Sequence, residues 1–160
     1  MSTAPVLLAA SMQACAQRIA KLTQSVAKTR HLFPLTASMV ATMSDDDEES
    51  LDALILRYSQ CVSMIQDQVF RGIAYLEQED ISDKSNREKS LLMEKLGVIQ
   101  SAEEIGTAAM LRNKFSHHYP DQSEARIARI NLLAVECQIV LGAFDTITAY
   151  LHRKGFSWAS

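Results

Sequence analysis

The chain has 160 residues, of which 48% are hydrophobic and 22% are charged, and its net charge is -3. This length suits one domain, and the composition is that of a globular protein with a sizeable core, which excludes a disordered or fibrous chain. The three cysteines form no Cys-x-x-Cys pair, so neither a disulfide framework nor a zinc cluster is expected. We therefore expect a cytoplasmic protein without a membrane span, which would need ~20 consecutive apolar residues.

Charge is unevenly distributed along the chain. No acidic residue precedes Asp45, and residues 1–44 carry four basic residues, namely Arg18, Lys21, Lys28 and Arg30. The rest of the chain has 12 basic and 19 acidic residues. An acid-free amphipathic start is also typical of organelle transit peptides, but those are richer in arginine, and the stretch makes a good first helix of the fold.

The first predicted helix spans residues 6–30. Its apolar positions fall in one sector about 80° wide at 100° per residue, and they are Leu8, Met12, Cys15, Ile19, Leu22 and Val26. The basic residues Arg18, Lys21 and Lys28 are predicted on the other side. Such a basic face is either simply solvated or an electrostatic guide for a polyanion.

The second predicted helix begins near the acidic run 45–49, where negative charge suits a helix N-terminus. Its apolar positions share one sector about 100° wide, and they are Leu51, Leu54, Ile55, Tyr58, Val62, Ile65, Val69, Ile73 and Leu76. A weaker stripe of Leu56, Phe70 and Ala74 lies opposite, with Asp67 among them. This second stripe predicts cover on both sides, from a central position in a bundle or from a dimer interface.

Three further helices are predicted. A short one at 87–96 stops at Gly97, and a capping box of Ser101 and Glu104 opens the next, which is expected to end near Tyr119 because Pro120 follows. The last, at 123–152, has a continuous apolar face of Ile130, Leu133, Cys137, Val140, Phe144, Ile147 and Leu151. With no strand signal and no repeat, the sequence predicts an all-α bundle of four or five helices, as a single domain over residues 1–153 with a tail at 154–160.

The densest polar cluster is the run Leu-Arg-Asn-Lys-Phe-Ser-His-His-Tyr-Pro at 111–120. A helix C-terminus that collects cationic side chains would explain it without any function. On an unbroken helix Arg112 and His117 lie about 140° apart. They converge on one substrate only if the helix loosens around 116–119 or if a two-fold dimer brings in a second copy.

The residue types in this cluster suit phosphodiester cleavage. A histidine moves protons near neutral pH, and an arginine fork holds a phosphate while negative charge accumulates. The scheme needs no metal or cofactor, and the sequence has no His-Glu-x-x-His motif or comparable metal set.

The pattern R-N-x-x-x-H-x-Y-P, formed by Arg112, Asn113, His117, Tyr119 and Pro120, resembles the signature of HEPN-domain proteins. It is most similar to the HepT-like toxins of HEPN/MNT toxin-antitoxin systems, over residues 1–153. The resemblance implies a metal-independent endoribonuclease that works as a homodimer, with the motifs of both protomers in one cleft at the two-fold interface.

Carried over residue by residue, the resemblance implies that Arg112 binds the phosphate, His117 is the acid/base and Asn113 supports the motif by hydrogen bonding. Tyr119 matches the tyrosine to which a nucleotidyltransferase antitoxin adds AMP, which would place negative charge where an RNA phosphate must lie. His118 stands where many relatives have an acidic residue, and it is a second candidate for proton transfer.

Other residues and functions remain open from the sequence. Lys114 and the basic face of the first helix are expected to help bind RNA, whereas Arg57 and Asp67 are lesser candidates for the cleft. The alternative functions are a non-catalytic module that binds a nucleotide or a protein, and a helical adaptor that dimerises through Leu56, Phe70 and Ala74.

Overall fold

The computed structural model describes residues 3–117 and 123–158, and the regular structure in those residues is entirely helical. In chain order the α-helices are α1 (Ala4–Thr29), α2 (Ala37–Ala41), α3 (Asp45–Met64), α4 (Phe70–Leu76), α5 (Asn86–Leu96), α6 (Ala102–Lys114) and α7 (Glu124–Arg153). The predicted all-α class is confirmed. The expected four or five helices become six when α3 and α4 are counted as one, because the one-turn helix α2, capped by Thr36, is too short to give a periodic pattern.

A π-helical segment, Ile65–Val69, joins α3 and α4 into one helix. The helix begins where the acidic run predicted it, and the Ser44 hydroxyl accepts a hydrogen bond from the Asp47 backbone N–H at 3.1 Å. A π-helical turn adds a residue to the helical repeat, so the side chains after it are rotated by about 100° from the α-helical expectation.

This rotation changes the predicted second stripe of the helix. Phe70 and Ala74 are fully buried within the chain, where α4 packs against α1 and α5, whereas Leu56 is 57% exposed. Cover on both sides is therefore correct for the α4 part of the helix, and within the described chain it does not extend to Leu56 on α3. A dimer face made of Leu56, Phe70 and Ala74 is wrong, because these three residues do not share a surface.

Helix α1 runs antiparallel to α3 and α4. Contacts between them pair Ser25 with Arg57, Arg18 with Gln60 and Leu8 with Gly72. The last contact requires glycine, since a Cβ at Gly72 would lie 2.9 Å from Leu8 Cδ1. The predicted core stripe of α1 is confirmed, with Leu8, Met12, Cys15 and Leu22 fully buried and Ile19 and Val26 packed against the core.

Helices α5 and α6 form a hairpin. The α5 boundaries are as predicted, because Gly97 ends the helix in the left-handed region (φ 83°). At its start, Ser85 and Glu88 form a reciprocal capping box that the sequence analysis missed. The Ser101 hydroxyl caps α6 as predicted by accepting from the Glu104 backbone N–H.

Helix α6 ends at Lys114, earlier than the predicted end near Tyr119. The Phe115 N–H bonds to the carbonyls of Leu111 and Arg112, and the Ser116 hydroxyl donates to the Asn113 carbonyl at 2.6 Å. These bonds tighten the last turn and close the helix several residues before Pro120 can act.

Helix α7 has the predicted boundaries to within one residue, and its predicted apolar face is buried throughout. It is the one helix of the described residues that is long and apolar enough to cross a membrane by length and composition, a test that core helices of soluble proteins also pass. Beyond it, the chain packs back onto the bundle. The Trp158 ring contacts Phe144 edge-on at 6.1 Å, and Gln13 donates to the Trp158 carbonyl at 2.8 Å.

Candidate functional site

Arg112 lies on the last turn of α6, and its half-buried guanidinium points at the middle of the long helix. Its Nη1 donates to Ser63 Oγ at 3.2 Å and to Gln66 Oε1 at 3.1 Å. Its Nε and Nη2 both donate to Asn113 Oδ1, at 3.3 and 3.2 Å. Arg112 makes no ion pair with a carboxylate of the described residues, so its positive charge is held in place without being neutralised.

Two features of α3 and the π-helical segment fix this geometry. Tyr58 is fully buried and donates from its hydroxyl to the Ala108 carbonyl at 2.7 Å, one helical turn before Arg112. Burial raises the pKa of Tyr58, so the phenol stays a donor. The π-helical segment supplies Gln66, whose side chain is buried and serves as an acceptor for the guanidinium.

An open groove of about 420 Å³ lies in front of Arg112. It runs between α6 and the first half of α3, and its lining residues are Asp52, Ile55, Leu56, Ser59, Arg112, Asn113, Phe115 and Ser116. A second open groove of about 400 Å³ continues from Ser59 towards α1, and its lining residues are Arg18, Ser59, Gln60, Ser63 and Met64. Ser59 lines both grooves, so the two grooves adjoin at this residue on the outer face of α3.

The predicted site residues divide into two groups. Arg112 and Asn113 line the groove and bond to each other, as the hydrogen-bonding role expected for Asn113 requires. Lys114 and His117 are exposed and are not among the residues that line the groove. His117 lies in the turn after α6, where its backbone N–H bonds to the Lys114 carbonyl at 3.3 Å. His118 and Tyr119, the other two predicted site residues, lie outside the described residues.

The basic residues of α1 are not equivalent. Lys21 and Lys28 are exposed, whereas Arg18 is half-buried at the edge of the core stripe and donates to Gln60 at 3.4 Å, facing α3. Among the lesser candidates, Arg57 connects α3 to α1 through the Ser25 hydroxyl and the Lys21 carbonyl, at 2.8 and 3.2 Å. Asp67 is exposed and does not line the groove.

Three residues of the long helix were not predicted as site residues, namely Ser59 and Ser63 of α3 and Gln66 of the π-helical segment. With Asp52 they are spaced by seven, four and three residues, which places them on one side of the helix. This regular spacing of polar residues beside the core stripe is visible in the sequence and could have predicted a polar face on the helix. The π-helical turn that helps bury Gln66 had no comparable signal.

Glu136 and the three cysteines are further buried titratable groups of the described chain. Glu136 on α7 is buried, its Oε2 has no hydrogen-bond partner, and burial with the charge of Glu104 raises its pKa. Burial likewise raises the pKa of the three cysteine thiols, at positions 15, 61 and 137, to about 12, so all three are unreactive. Within residues 3–117 and 123–158, no group of three His, Cys, Asp or Glu side chains could hold a metal ion.

The arrangement can therefore bind an anion. The guanidinium of Arg112 is oriented by neutral oxygen acceptors and opens onto a groove whose floor carries serine hydroxyls, and the motif histidine follows in the next turn. Comparison with known proteins assigns no family, because no protein-family model, no curated protein and no solved structure matches the chain.

Proposed function

We infer that the protein is a metal-independent endoribonuclease, acting in the cytoplasm as the HEPN-type toxin of a toxin-antitoxin pair. The observation that carries this proposal is the state of Arg112. Its guanidinium is half-buried, oriented by Ser63, Gln66 and Asn113, unpaired with any carboxylate of the described chain, and five residues before His117. A guanidinium that is oriented by neutral acceptors keeps its positive charge available to an anion.

The proposed reaction is attack of the RNA 2'-hydroxyl on the adjacent phosphorus. The 2'-oxygen forms a bond to phosphorus, the bond to the 5'-oxygen breaks, and the product is a 2',3'-cyclic phosphate. His117 takes the proton of the 2'-hydroxyl or delivers one to the leaving 5'-oxygen. Arg112 binds the non-bridging oxygens, on which negative charge accumulates in the transition state. The Asn113 carboxamide oxygen accepts from Nε and Nη2, which leaves one Nη2 hydrogen free for a phosphate, and a bidentate contact with the phosphate would displace that oxygen.

A homodimer is part of the proposal. His117 lies outside the residues that line the groove of its own chain. A second copy related by a two-fold axis would bring a second Arg112 and a second His117 to the same cleft, so that one histidine acts as base and the other as acid. This division of roles would explain how Arg112 on α6 and His117 in the turn after it act on one phosphate.

Regulation by a nucleotidyltransferase antitoxin is proposed from the motif alone. The Tyr119 phenol oxygen would attack the α-phosphorus of ATP, forming a phosphodiester to AMP with release of pyrophosphate. The added phosphate would repel the RNA backbone and compete for Arg112. Intact mass measured before and after incubation with the antitoxin and ATP would show one AMP on the wild type and none on Tyr119→Phe.

The function is tested by incubating purified protein with end-labelled RNA in the presence of EDTA. We expect cleavage with 2',3'-cyclic phosphate ends, which falls by a factor of about 100 to 10,000 in His117→Ala. His152→Ala is the matched control, since His152 is exposed at the end of α7, and it should cleave as the wild type does. A parallel His118→Ala variant shows which histidine of the pair moves the proton.

Three results would overturn the proposal. These are intact RNA with protein of unmodified mass, cleavage that EDTA abolishes, and equal loss of activity in His117→Ala and His152→Ala. RNA or nucleotide binding without cleavage would instead favour the non-catalytic binding module. Expression in cells separates the two further, because a ribonuclease arrests growth unless Arg112 or His117 is replaced, whereas a binding module is tolerated.

A further inference from the structure

We propose that Arg18 forms a second phosphate-binding position, so that single-stranded RNA lies across α3 with neighbouring phosphates on Arg18 and Arg112. The inference rests on the proposed function and extends it, since the motif predicts one phosphate contact, at Arg112, and the neighbouring groove adds a second arginine, Arg18. The feature that carries it is that the Arg112 groove and the Arg18 groove adjoin at Ser59, which lines both.

The two arginines are held in parallel ways by the same helix. Arg18 Nη1 donates to Gln60 Oε1 at 3.4 Å, and Arg112 Nη1 donates to Ser63 Oγ at 3.2 Å. Gln60 and Ser63 are three residues apart, so they are neighbours on the surface of α3, with Cβ atoms about 5–6 Å apart. The two guanidinium groups therefore approach the groove from opposite sides, one from α1 and one from α6.

The charges of the groove favour an anion that spans it. Like Arg112, Arg18 is half-buried and has no carboxylate partner within residues 3–117 and 123–158. The one carboxylate that lines the groove, Asp52, lies at its far end, and it is 3.7 Å from Arg126 of α7. Two partly desolvated cations with nothing to neutralise them repel each other, and a ligand with two linked phosphates removes that repulsion.

The floor between the arginines suits an RNA backbone. Ser59 and Ser63 present hydroxyl groups that donate to phosphate oxygens or accept from a 2'-hydroxyl. Met64 and Leu56 add apolar surface at the two ends, against which bases can pack. The groove is open along its length, as binding of a continuous strand requires.

The test uses a fluorescent RNA of roughly 12 nucleotides and the His117→Ala protein, which would not cleave it. We expect Arg18→Ala to weaken binding about tenfold and to lower the slope of log K against log salt by about 0.7, the value for one phosphate contact on a single strand. Arg18→Lys should keep that slope. Arg87→Ala is the matched control, because Arg87 is an exposed arginine of α5 that lines neither groove, and it should change neither quantity.

A second readout uses substrate length with catalytically intact protein. A dinucleoside monophosphate has a single phosphate and cannot reach Arg18 while it is cleaved at Arg112. We therefore expect Arg18→Ala to lower kcat/KM about tenfold on the longer RNA and to leave kcat/KM on the dinucleoside monophosphate unchanged. Equal effects on both substrates would mean that Arg18 supports the fold or Arg112 itself, and would overturn the inference.

The outcomes separate this inference from the proposed function. If His117→Ala abolishes cleavage and Arg18→Ala does not change it, the second phosphate position is overturned and the ribonuclease proposal is kept. If the wild type binds RNA in a way that depends on Arg18 but does not cleave it, the second phosphate position is supported and the ribonuclease proposal is overturned. If the wild type neither binds nor cleaves RNA, both are overturned.

Discussion

The two ends of the motif are held very differently. Arg112, inside the last turn of α6, has all three guanidinium nitrogens engaged by Ser63, Gln66 and Asn113. His117, three residues after the helix ends, is exposed, and its imidazole has no hydrogen-bond partner in the described residues. The proposed phosphate-binding half of the site is thus organised before substrate arrives, whereas the proposed proton-transfer half has to be positioned by something else.

This contrast fits a site completed by a second copy or by the substrate. Orientation of a phosphate-binding group in advance lowers the cost of binding, because few side-chain rotations are lost when the ligand arrives. A histidine in a solvent-exposed turn gains its orientation only on assembly. The two ends should therefore respond differently to mutation, with stability coupled to the Arg112 end and not to the His117 end.

At the Arg112 end of the motif, replacement of Arg112 itself should give the largest effect. We expect Arg112→Ala to lower kcat/KM for RNA about 100- to 1,000-fold, and Arg112→Lys to recover little of it, because an ammonium lacks the fork that Ser63, Gln66 and Asn113 orient. Steady-state cleavage with EDTA present measures both.

The matched arginine control is Arg57→Ala, which removes the bonds to Ser25 and Lys21 and should destabilise the fold by about 1 kcal/mol while RNA cleavage stays at the wild-type rate. Thermal unfolding separates stability from activity. Equal activity losses in the Arg57 and Arg112 variants would contradict the assignment of Arg112.

A smaller effect is expected at Gln66, which acts on the reaction through Arg112 and is a positioning residue. Gln66→Met keeps the side-chain volume but removes the acceptor, and it should lower kcat/KM about tenfold, the equivalent of one charged hydrogen bond. The salt dependence of RNA binding should not change, since Arg112 keeps its charge. Gln68→Met, at an exposed position of the same π-helical segment, is the control. If RNA binding by Gln66→Met depended less on salt than binding by the wild type, Gln66 would not act by orienting Arg112.

The smallest expected effect is on the free energy of unfolding, at the buried carboxyl of Glu136. Its pKa is raised in the fold by burial and by Glu104, so above the ordinary value of 4.5 the folded chain keeps a proton that the unfolded chain releases. The free energy of unfolding therefore falls as the pH rises from about 4.5 through the raised pKa, and the stability present at lower pH is lost.

Glu136→Gln removes this titration and should exceed the wild type in stability by about 1 kcal/mol near neutral pH, with a smaller difference at acidic pH. Urea unfolding at several pH values measures this difference. Glu79→Gln, at an exposed turn, should match the wild type throughout. A gain for Glu136→Gln that is the same at every pH would show that the carboxyl does not titrate in this window.

Much of the fold was predictable because its long helices have strict periodicity and clear caps. The boundaries of α1, α5 and α7 follow from apolar spacing, Gly97 and the charge pattern, and they agree with the structure to within two residues. The errors arose where the backbone departs from 3.6 residues per turn. The π-helical segment turned Phe70 and Ala74 inward, and the tight bonding of Phe115 and Ser116 ended α6 early.

Two residues that line the candidate site, Arg112 and Asn113, could be predicted from the sequence, but the surface that they form with α3 could not. Arg112 and Asn113 could be chosen from the motif, since that cluster is local in sequence. Ser59, Ser63 and Gln66 are more than 45 residues away along the chain, and their contribution arises from the packing of α6 on α3, which a pattern along one helix does not contain.

The π-helical segment makes the register of α4 depend on one extra residue. Because the π-helical turn holds one residue more than an α-helical turn, the side chains after it keep the orientation that a regular helix shorter by one residue would give them. Deletion of Gln68 would therefore let the helix close as a regular α-helix while Phe70 and Ala74 stay in the core and Gly72 stays against Leu8. The same deletion would change the turn that holds Gln66 against Arg112, so it would disturb arginine placement without disturbing core packing.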